Sequence, residues 1–160
     1  MKTIILGIDV SKNTLDIAVM IAGSLATQHQ IDNTSKSFQR WLKQLTKDES
    51  IELSDCMICM EHTGVYCHPV IAVCDQLGCF LWVEDAGRIK AFHSLSRGKN
   101  DALDAERIAT YAFLKQSEAK KMGSTSGDYQ GVEGIDEAQK KTARYQTKTF
   151  SACKRRVEDD

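Results

Sequence analysis

The sequence has no long apolar run and almost no net charge, and both absences restrict the class of protein. No stretch approaches the ~20 consecutive apolar residues that a membrane-spanning helix needs, and Asp9 interrupts the apolar beginning of the chain, unlike in a signal peptide. These features predict a cytoplasmic protein with no membrane partner. The formal net charge of −1 excludes a strongly basic protein, so any attraction for nucleic acid has to come from local positive charge.

The composition is that of one globular domain. The 160 residues are 42% hydrophobic and 27% charged, which is enough apolar material for a core. Six cysteines are present, but in a cytoplasmic protein they are expected to remain thiols. Cys56 and Cys59 form a CxxC pair without a second pair. Because residues three apart in a strand face opposite sides, we expect no zinc site there.

The first 31 residues carry the patterns of strands. Thr3–Val10 is apolar on both alternating faces, which predicts a central strand covered on both sides. Turn-forming residues separate it from Leu15–Ile21 and then from Leu25–Ile31, whose alternation predicts two further strands. The chain is therefore expected to begin with a three-stranded antiparallel meander.

The next part of the chain alternates between helices and strands. Apolar residues from Phe38 to Leu45 recur at helical spacing, and the same spacing predicts a second helix that ends at Gly78. The other expected elements are strands at Cys56–Met60 and Cys79–Val83 and helices at about Ile89–Leu95 and Asp101–Lys115. This order predicts an α/β fold with a mixed central sheet of five strands and flanking helices, as in the RNase H fold.

Four acidic residues lie where this fold would bring them together. Asp9 ends the first strand and Glu61 ends the fourth, and these strands are neighbours in RNase H-type sheets. Asp101 and Asp104 are three residues apart and share one helix face. Carboxylate oxygens with open water positions suit Mg²⁺ or Mn²⁺, and two such ions support phosphodiester chemistry. We therefore predict that these four acids form a catalytic site for two metal ions.

Each of these acids also has a purely structural interpretation. Asp9 could favour the exit from a strand into a turn, and Glu61 could cap the segment that follows it. Asp101 and Asp104 lie in the first turn of a helix, where the helix dipole favours acids. The prediction of a metal site depends on all four positions together.

Three sequence blocks carry a resemblance to a known family. They are Gly7–Lys12 (GIDVSK), Met60–Tyr66 (MEHTGVY) and Lys99–Ala105 (KNDALDA). In this order and spacing, over about residues 3–115, they resemble the DEDD transposases, which are the Piv-type invertases and their insertion-sequence relatives. The resemblance implies a RuvC-like catalytic domain in which the four acids are the metal-binding tetrad.

The same resemblance implies an activity and partners. It implies metal-dependent cleavage and transfer of DNA strands during the transposition of a mobile element. It also implies DNA as the substrate, a structured RNA as a candidate guide, and a homo-oligomer for the full-length family.

Residues 119–160 have a different character. They are polar, include the linker-like segment Gly123–Gly127 and lack a sustained apolar stripe. We expect residues 1–118 to form the RuvC-like domain and residues 119–160 to be a disordered or weakly helical tail, dispensable for folding. Full-length relatives continue instead into a second domain that supplies a serine nucleophile. The tail therefore looks like a truncation remnant, and the chain alone is expected to be an incomplete enzyme.

Basic residues flank the predicted site. Lys12 follows the first strand, Arg88 and Lys90 come after the fifth strand, and Arg97 and Lys99 lie in the loop before the acidic helix. We expect these side chains to contact phosphate groups of a nucleic acid, with a solvated surface as the alternative.

Three other functions remain open at this point. A junction-resolving nuclease would use the same chemistry without a partner domain. An inactive fragment would fold, or bind nucleic acid, without catalysis. An actin-like ATPase half shares the fold, but the sequence has no glycine-rich adenosine motif.

Overall fold

A computed structural model describes residues 4–92 and 101–122, with only the backbone described at 101–103. Its centre is a five-stranded sheet in the order β3-β2-β1-β4-β5. β1 pairs antiparallel with β2 and parallel with β4, so the sheet is mixed, as predicted. The strands are β1 (Ile4–Val10), β2 (Thr14–Ile21), β3 (Ser24–Asp32), β4 (Cys56–Glu61) and β5 (Phe80–Glu84).

Four helices flank the sheet: α1 (Ser35–Asp48), α2 (His68–Leu77), α3 (Ala86–Phe92) and α4 (Asp101–Leu114). The Thr34 side chain caps α1 by accepting a hydrogen bond from the Ser37 backbone N–H at 3.1 Å. Gly78 ends α2 in the left-handed conformation, with φ of 67°, as its position in the sequence predicts.

The two faces of the sheet bury separate cores. On one face, Leu6 and Ile8 of β1 pack in the same cluster as Phe38 and Leu42 of α1. On the other face, Ile5 packs with the inner side of α4. Cys56 belongs to the first core and Cys59 to the second, which confirms that this CxxC pair cannot bind one metal together. All five cysteines in the described residues are buried free thiols.

A glycine brings α4 unusually close to the central strand. A Cβ atom added to Gly7 would overlap the carbonyl oxygen of Ala105 and the backbone nitrogen of Ala109. Ala105 and Ala109 are themselves small and buried. Helix α4, which carries two of the predicted site residues, therefore packs directly on the backbone of β1 where the first sequence block begins.

The chain remains in contact with the sheet after α4. The backbone N–H of Met122 donates a hydrogen bond to the carbonyl of Leu81 in the edge strand β5 at 2.7 Å. Met122 also packs against the core beneath α1 and α2. Neither 4–92 nor 101–122 includes a helix of the length and apolar character needed to cross a membrane.

Candidate active site

Acidic residues form a row across the sheet at the carboxyl ends of β1, β4 and β5. Asp9 of β1 lies directly opposite Asp16 of β2, and Glu61 of β4 lies beside Glu84 of β5. Ile8 and Met60 are register partners in the parallel pair β1–β4, so Asp9 and Glu61 are the next residues along these two neighbouring strands. The structure thus places the two strand-end acids at one edge of the sheet, as predicted.

This row lies on the face of the sheet covered by α4. Asp9 is two residues after Gly7, and alternate residues of a strand share a face. Asp16, its cross-strand neighbour, lines a shallow pocket of about 200 Å³ together with Ala105 of α4. Burial, followed by the charges of Glu84 and Glu61, raises the pKa of the Cys59 thiol, which places both acids on the same side as Cys59.

Glu61 is an acid whose ionised form is disfavoured in the folded protein. Its side chain is half-buried, and the resulting loss of hydration is the largest cause that raises its pKa. The negative charges of Asp104 and Asp85 raise the pKa further, while the positive charge of Lys90 lowers it. Helix α4 therefore brings Asp104 within electrostatic range of Glu61, as expected for members of one site.

Asp104 itself is held by a neighbour on the same helix. Arg107 donates to Asp104 at 2.9 Å, and 40% of the Asp104 side chain is exposed. One and two turns further along α4, Ile108 and Tyr111 are buried, which confirms that this stripe of the helix faces the core. The backbone of Asp101 begins α4, but its side chain lies outside the described part of the structure.

Glu84 is a buried acid that the sequence did not single out. Only 6% of its surface is exposed. It accepts hydrogen bonds from the Tyr111 hydroxyl at 3.1 Å, the Asp85 backbone N–H at 2.9 Å and the Arg88 guanidinium at 3.3 Å. Burial and the bond to Glu84 raise the pKa of Tyr111 to about 12. Glu84 thus links the end of β5 to α3 and α4.

Asp16 is the second acid that the sequence analysis missed. It is 9% exposed and accepts a hydrogen bond from the Gln30 side chain at 2.8 Å. A charged residue on the same strand face as the apolar Ala18 and Met20 was the available signal. Its position opposite Asp9, however, depends on the pairing register of β1 and β2, which single strands do not specify.

Comparison with known proteins decides the family. The family model of the IS110-type DEDD transposases, described as "Transposase", matches residues 6–153. The chain belongs to this transposase family. In three dimensions the transposase is similar to T. thermophilus RuvC, solved in complex with a Holliday junction substrate, with a TM-score of 0.55 and 12% sequence identity. The likeness covers 75% of this chain and 99% of that chain and confirms the RuvC-like, RNase H-type fold. No curated protein matches the sequence.

The donor set of this transposase suits a hard divalent cation, although its geometry is only partly assembled. Glu61 and Asp104 supply carboxylate oxygens that would suit such a cation, and its positive charge would offset both the loss of hydration and the neighbouring negative charges that raise the Glu61 pKa. Among residues 4–92 and 101–122, no three His, Cys, Asp or Glu side chains are already arranged to hold a metal. The side chain of Asp101 lies outside these described residues. The chemistry of the residues therefore fits the ion, and the convergence of all four acids stays a prediction.

The basic residues predicted at the site are only partly covered by the structure. Lys12 is exposed in the turn between β1 and β2, next to the end of β1 that carries Asp9. Arg97 and Lys99 lie outside the described residues. Lys90 of α3, one of the basic residues expected at this edge, lies close enough to Glu61 for its charge to lower the pKa of that acid.

Proposed function

We propose that this transposase domain cleaves DNA strands and transfers them during transposition, with Asp9, Glu61, Asp101 and Asp104 as its metal-binding tetrad. The observation that supports the proposal most strongly is electrostatic. Glu61, beside Asp9 at the sheet edge, has its pKa raised first by loss of hydration on burial and then by the charge of Asp104 of α4, against the opposing charge of Lys90. Acids held together at such a cost are typical of sites that bind cations.

The four acids would hold Mg²⁺ or Mn²⁺, with two ions as the expected occupancy. Such ions supply activation of an attacking oxygen and stabilisation of a leaving oxygen. The chain itself contributes the positions of the acids: parallel pairing of β1 and β4 fixes Asp9 and Glu61, and the contact at Gly7 fixes α4. Lys12, Arg97 and Lys99 are proposed to bind phosphate groups of the DNA near these acids.

The partners follow from membership of the family. DNA is the proposed substrate, a structured RNA is the candidate guide, and the complete family members are proposed to act as homo-oligomers in the cytoplasm. By its resemblance to the family, the proposed nucleophile is a serine of a second domain, so we expect no covalent protein–DNA intermediate on a serine within residues 1–118. Activated water could still produce slow nicking.

A cleavage assay on two substrates tests this function. Supercoiled plasmid and a four-way junction are incubated with the protein and Mn²⁺, and products are resolved on denaturing gels. We expect slow nicking that depends on metal and is lost in Asp9→Asn and Glu61→Gln but kept in Asp75→Asn, which changes an exposed acid of α2. Nicking that survives both tetrad substitutions would contradict the proposal. Cleavage confined to the junction would favour the junction-resolving nuclease instead.

A further inference from the structure

Helix α1 carries a continuous stripe of positive charge. Its four basic residues recur at i, i+4, i+7 and i+11, so at about 100° per residue they lie within roughly 60° of one another around the helix. All four side chains are exposed, and together with two glutamines they line one shallow groove. The basic residues are Lys36, Arg40, Lys43 and Lys47.

The stripe points away from the protein. The buried residues of α1, Phe38, Leu42 and Leu45, lie on the opposite side of the helix and pack on the sheet. The single acid of α1 is its last residue, Asp48, which accepts a hydrogen bond from the Gln44 side chain at 2.7 Å. Within the described ranges, no ion pair within 4.0 Å joins an acidic side chain to any of the four cations.

This arrangement costs stability. Like charges at i, i+4 or i, i+3 destabilise a helix, and the stripe contains three such neighbouring pairs, from Lys36 to Lys47. The first turn of α1 holds Lys36 and no acid, which is the unfavourable sign for the helix dipole. A helix that only faced water would be more stable with acids interspersed, so an anionic partner would offset this cost.

We propose that the α1 stripe, Lys36 to Lys47, binds the phosphodiester backbone of duplex DNA. The proposal deepens the proposed function, on which it rests for the identity of DNA as partner. The stripe is about 16 Å long because a helix rises about 1.5 Å per residue. A straight, rigid row of cations on that scale matches the regular line of phosphates along a duplex.

The composition of the stripe favours a duplex over a single strand. Proteins that bind single strands stack bases on aromatic side chains, and the stripe has none. The nearest aromatic residue, Trp41, is half-buried and packs against Phe38 and His29. Gln39 and Gln44 border the stripe. The Gln44 amide donates a hydrogen bond to Asp48 at 2.7 Å, whereas the Gln39 amide can donate to phosphate oxygens. Contacts of this kind position DNA without reading its sequence.

The position of the stripe separates it from the tetrad. Helix α1 covers one face of the sheet, whereas α4 covers the face on which the acidic row lies. The DNA bound to α1 would therefore be a part of the substrate that is remote from the scissile phosphate. Such a contact would increase affinity and orient the DNA without taking part in the chemistry.

Fluorescence anisotropy with a short duplex of arbitrary sequence, in EDTA and over a range of salt concentrations, tests the proposal. The variant is Arg40→Gln with Lys43→Gln. The matched control is Lys120→Gln with Lys121→Gln, which removes two exposed positive charges after α4. We expect the α1 variant to bind roughly tenfold more weakly, with the slope of log K against log salt reduced by about 2, since each lost phosphate contact removes about 0.9. The control should bind like the unchanged chain.

Three results would overturn the proposal. The first is that the unchanged chain does not bind the duplex. The second is that the α1 variant and the control lose equal amounts of affinity for the duplex. The third is that the unchanged chain binds an RNA hairpin or a single strand of equal charge more tightly than it binds the duplex. Because EDTA removes the metal, none of these results bears on the tetrad, whose response to Mn²⁺ is measured separately. Circular dichroism of both variants establishes that they are folded.

Discussion

Among single residues, Glu61 shows how an acid at this sheet edge differs from one on the open surface. Loss of hydration on burial, and then the charges of Asp104 and Asp85, all act against its ionised form. Lys90 compensates only in part, since the pKa remains raised. The folded protein without metal therefore holds a proton on Glu61 more tightly than the unfolded chain does.

The consequence for stability has a defined sign. Where the folded state binds more protons than the unfolded state, the free energy of unfolding falls as pH rises. In EDTA at about pH 7, Glu61→Gln should therefore have a higher melting temperature than the unchanged chain. This gain in melting temperature should shrink as the pH is lowered towards 4.5, the ordinary pKa of a glutamate side chain. Thermal melts at the two pH values measure the effect. Glu52→Gln, at an exposed acid, is the control; a gain that is equal at both pH values would contradict this account.

Gly7 is a residue whose role is steric. Gly7→Ala puts a methyl group into backbone atoms of Ala105 and Ala109, which cannot rotate away, so α4 has to move. Overpacking of this kind costs about 1–3 kcal/mol or more, and chemical denaturation measures the loss. Gly64→Ala is the matched control, because that position has open space and its φ of 67° alone should cost about 1–2 kcal/mol. If Gly7→Ala were as stable as the unchanged chain, the close contact of α4 with β1 would be wrong.

Among the elements, α4 carries most of the connections that assemble the site. It approaches β1 at Gly7, supplies Asp104, and reaches the end of β5 through the hydrogen bond from Tyr111 to Glu84. Because Glu84 is the register partner of Glu61, this bond fixes the helix relative to the strand that carries a tetrad residue. The docking of α4 should therefore depend on a residue far from its acidic first turn.

Tyr111→Phe isolates that bond, since it removes the hydroxyl and keeps the buried ring. We expect a loss of about 1–2 kcal/mol, because a hydrogen bond to a charged group contributes roughly 1.5–3 kcal/mol and Glu84 keeps its bonds from Arg88 and Asp85. Urea unfolding measures this loss in the free energy of unfolding. The control is Tyr66→Phe, which changes an exposed tyrosine. The same substitution should cost less in a Glu84→Gln background. An equal cost in both backgrounds would show that the hydroxyl does not act through Glu84.

The elements themselves were largely predictable, whereas contacts between them were not. The strand and helix patterns predicted all five strands and the order of the helices because period and turn residues are local properties of the sequence. The start of the third helix was wrong: α3 begins at Ala86, three residues before the expected Ile89, because the Asp85 side chain accepts a hydrogen bond from the Arg88 backbone N–H at 3.2 Å and caps the helix there. Residues 93–95 of the expected helix lie outside the described residues. Strand β5 extends one residue beyond its predicted end, to Glu84, because a parallel partner continues the ladder to Glu61. Glu84 and Asp16 were missed for this reason: their place beside the site depends on the register between strands. Asp9 and Glu61 could be predicted because each ends a strongly apolar strand.

At the scale of the whole molecule, the described domain includes residues beyond α4. Met122 donates to Leu81 and packs on the core, and Arg88 reaches Glu118 at 3.4 Å. These contacts cover part of the edge strand β5, which otherwise presents unpaired backbone groups. The prediction that residues 119–160 are dispensable for folding stays untested. From these contacts we now expect that residues up to Met122 contribute to the stability of the domain.

Two truncated chains test this boundary. A chain ending at Met122 should melt at the temperature of the full chain. A chain ending at Lys115 should melt lower, because it loses the contacts of Glu118 and Met122. Differential scanning calorimetry compares the melting temperatures of the full chain and the two truncated chains. A full-chain melting temperature for the chain ending at Lys115 would show that these contacts contribute nothing measurable.

The central claim is that the acids at the sheet edge bind divalent metal, and the most direct test is the melting temperature of the full chain with and without millimolar Mn²⁺ or Mg²⁺. A ligand that binds only the folded state stabilises it by about 2.7 kcal/mol at one hundred times its Kd, so the account predicts a clear rise in melting temperature. Asp9→Asn should abolish the rise, and Asp75→Asn should preserve it. An unchanged melting temperature in metal, or a rise that persists in Asp9→Asn, would contradict the account.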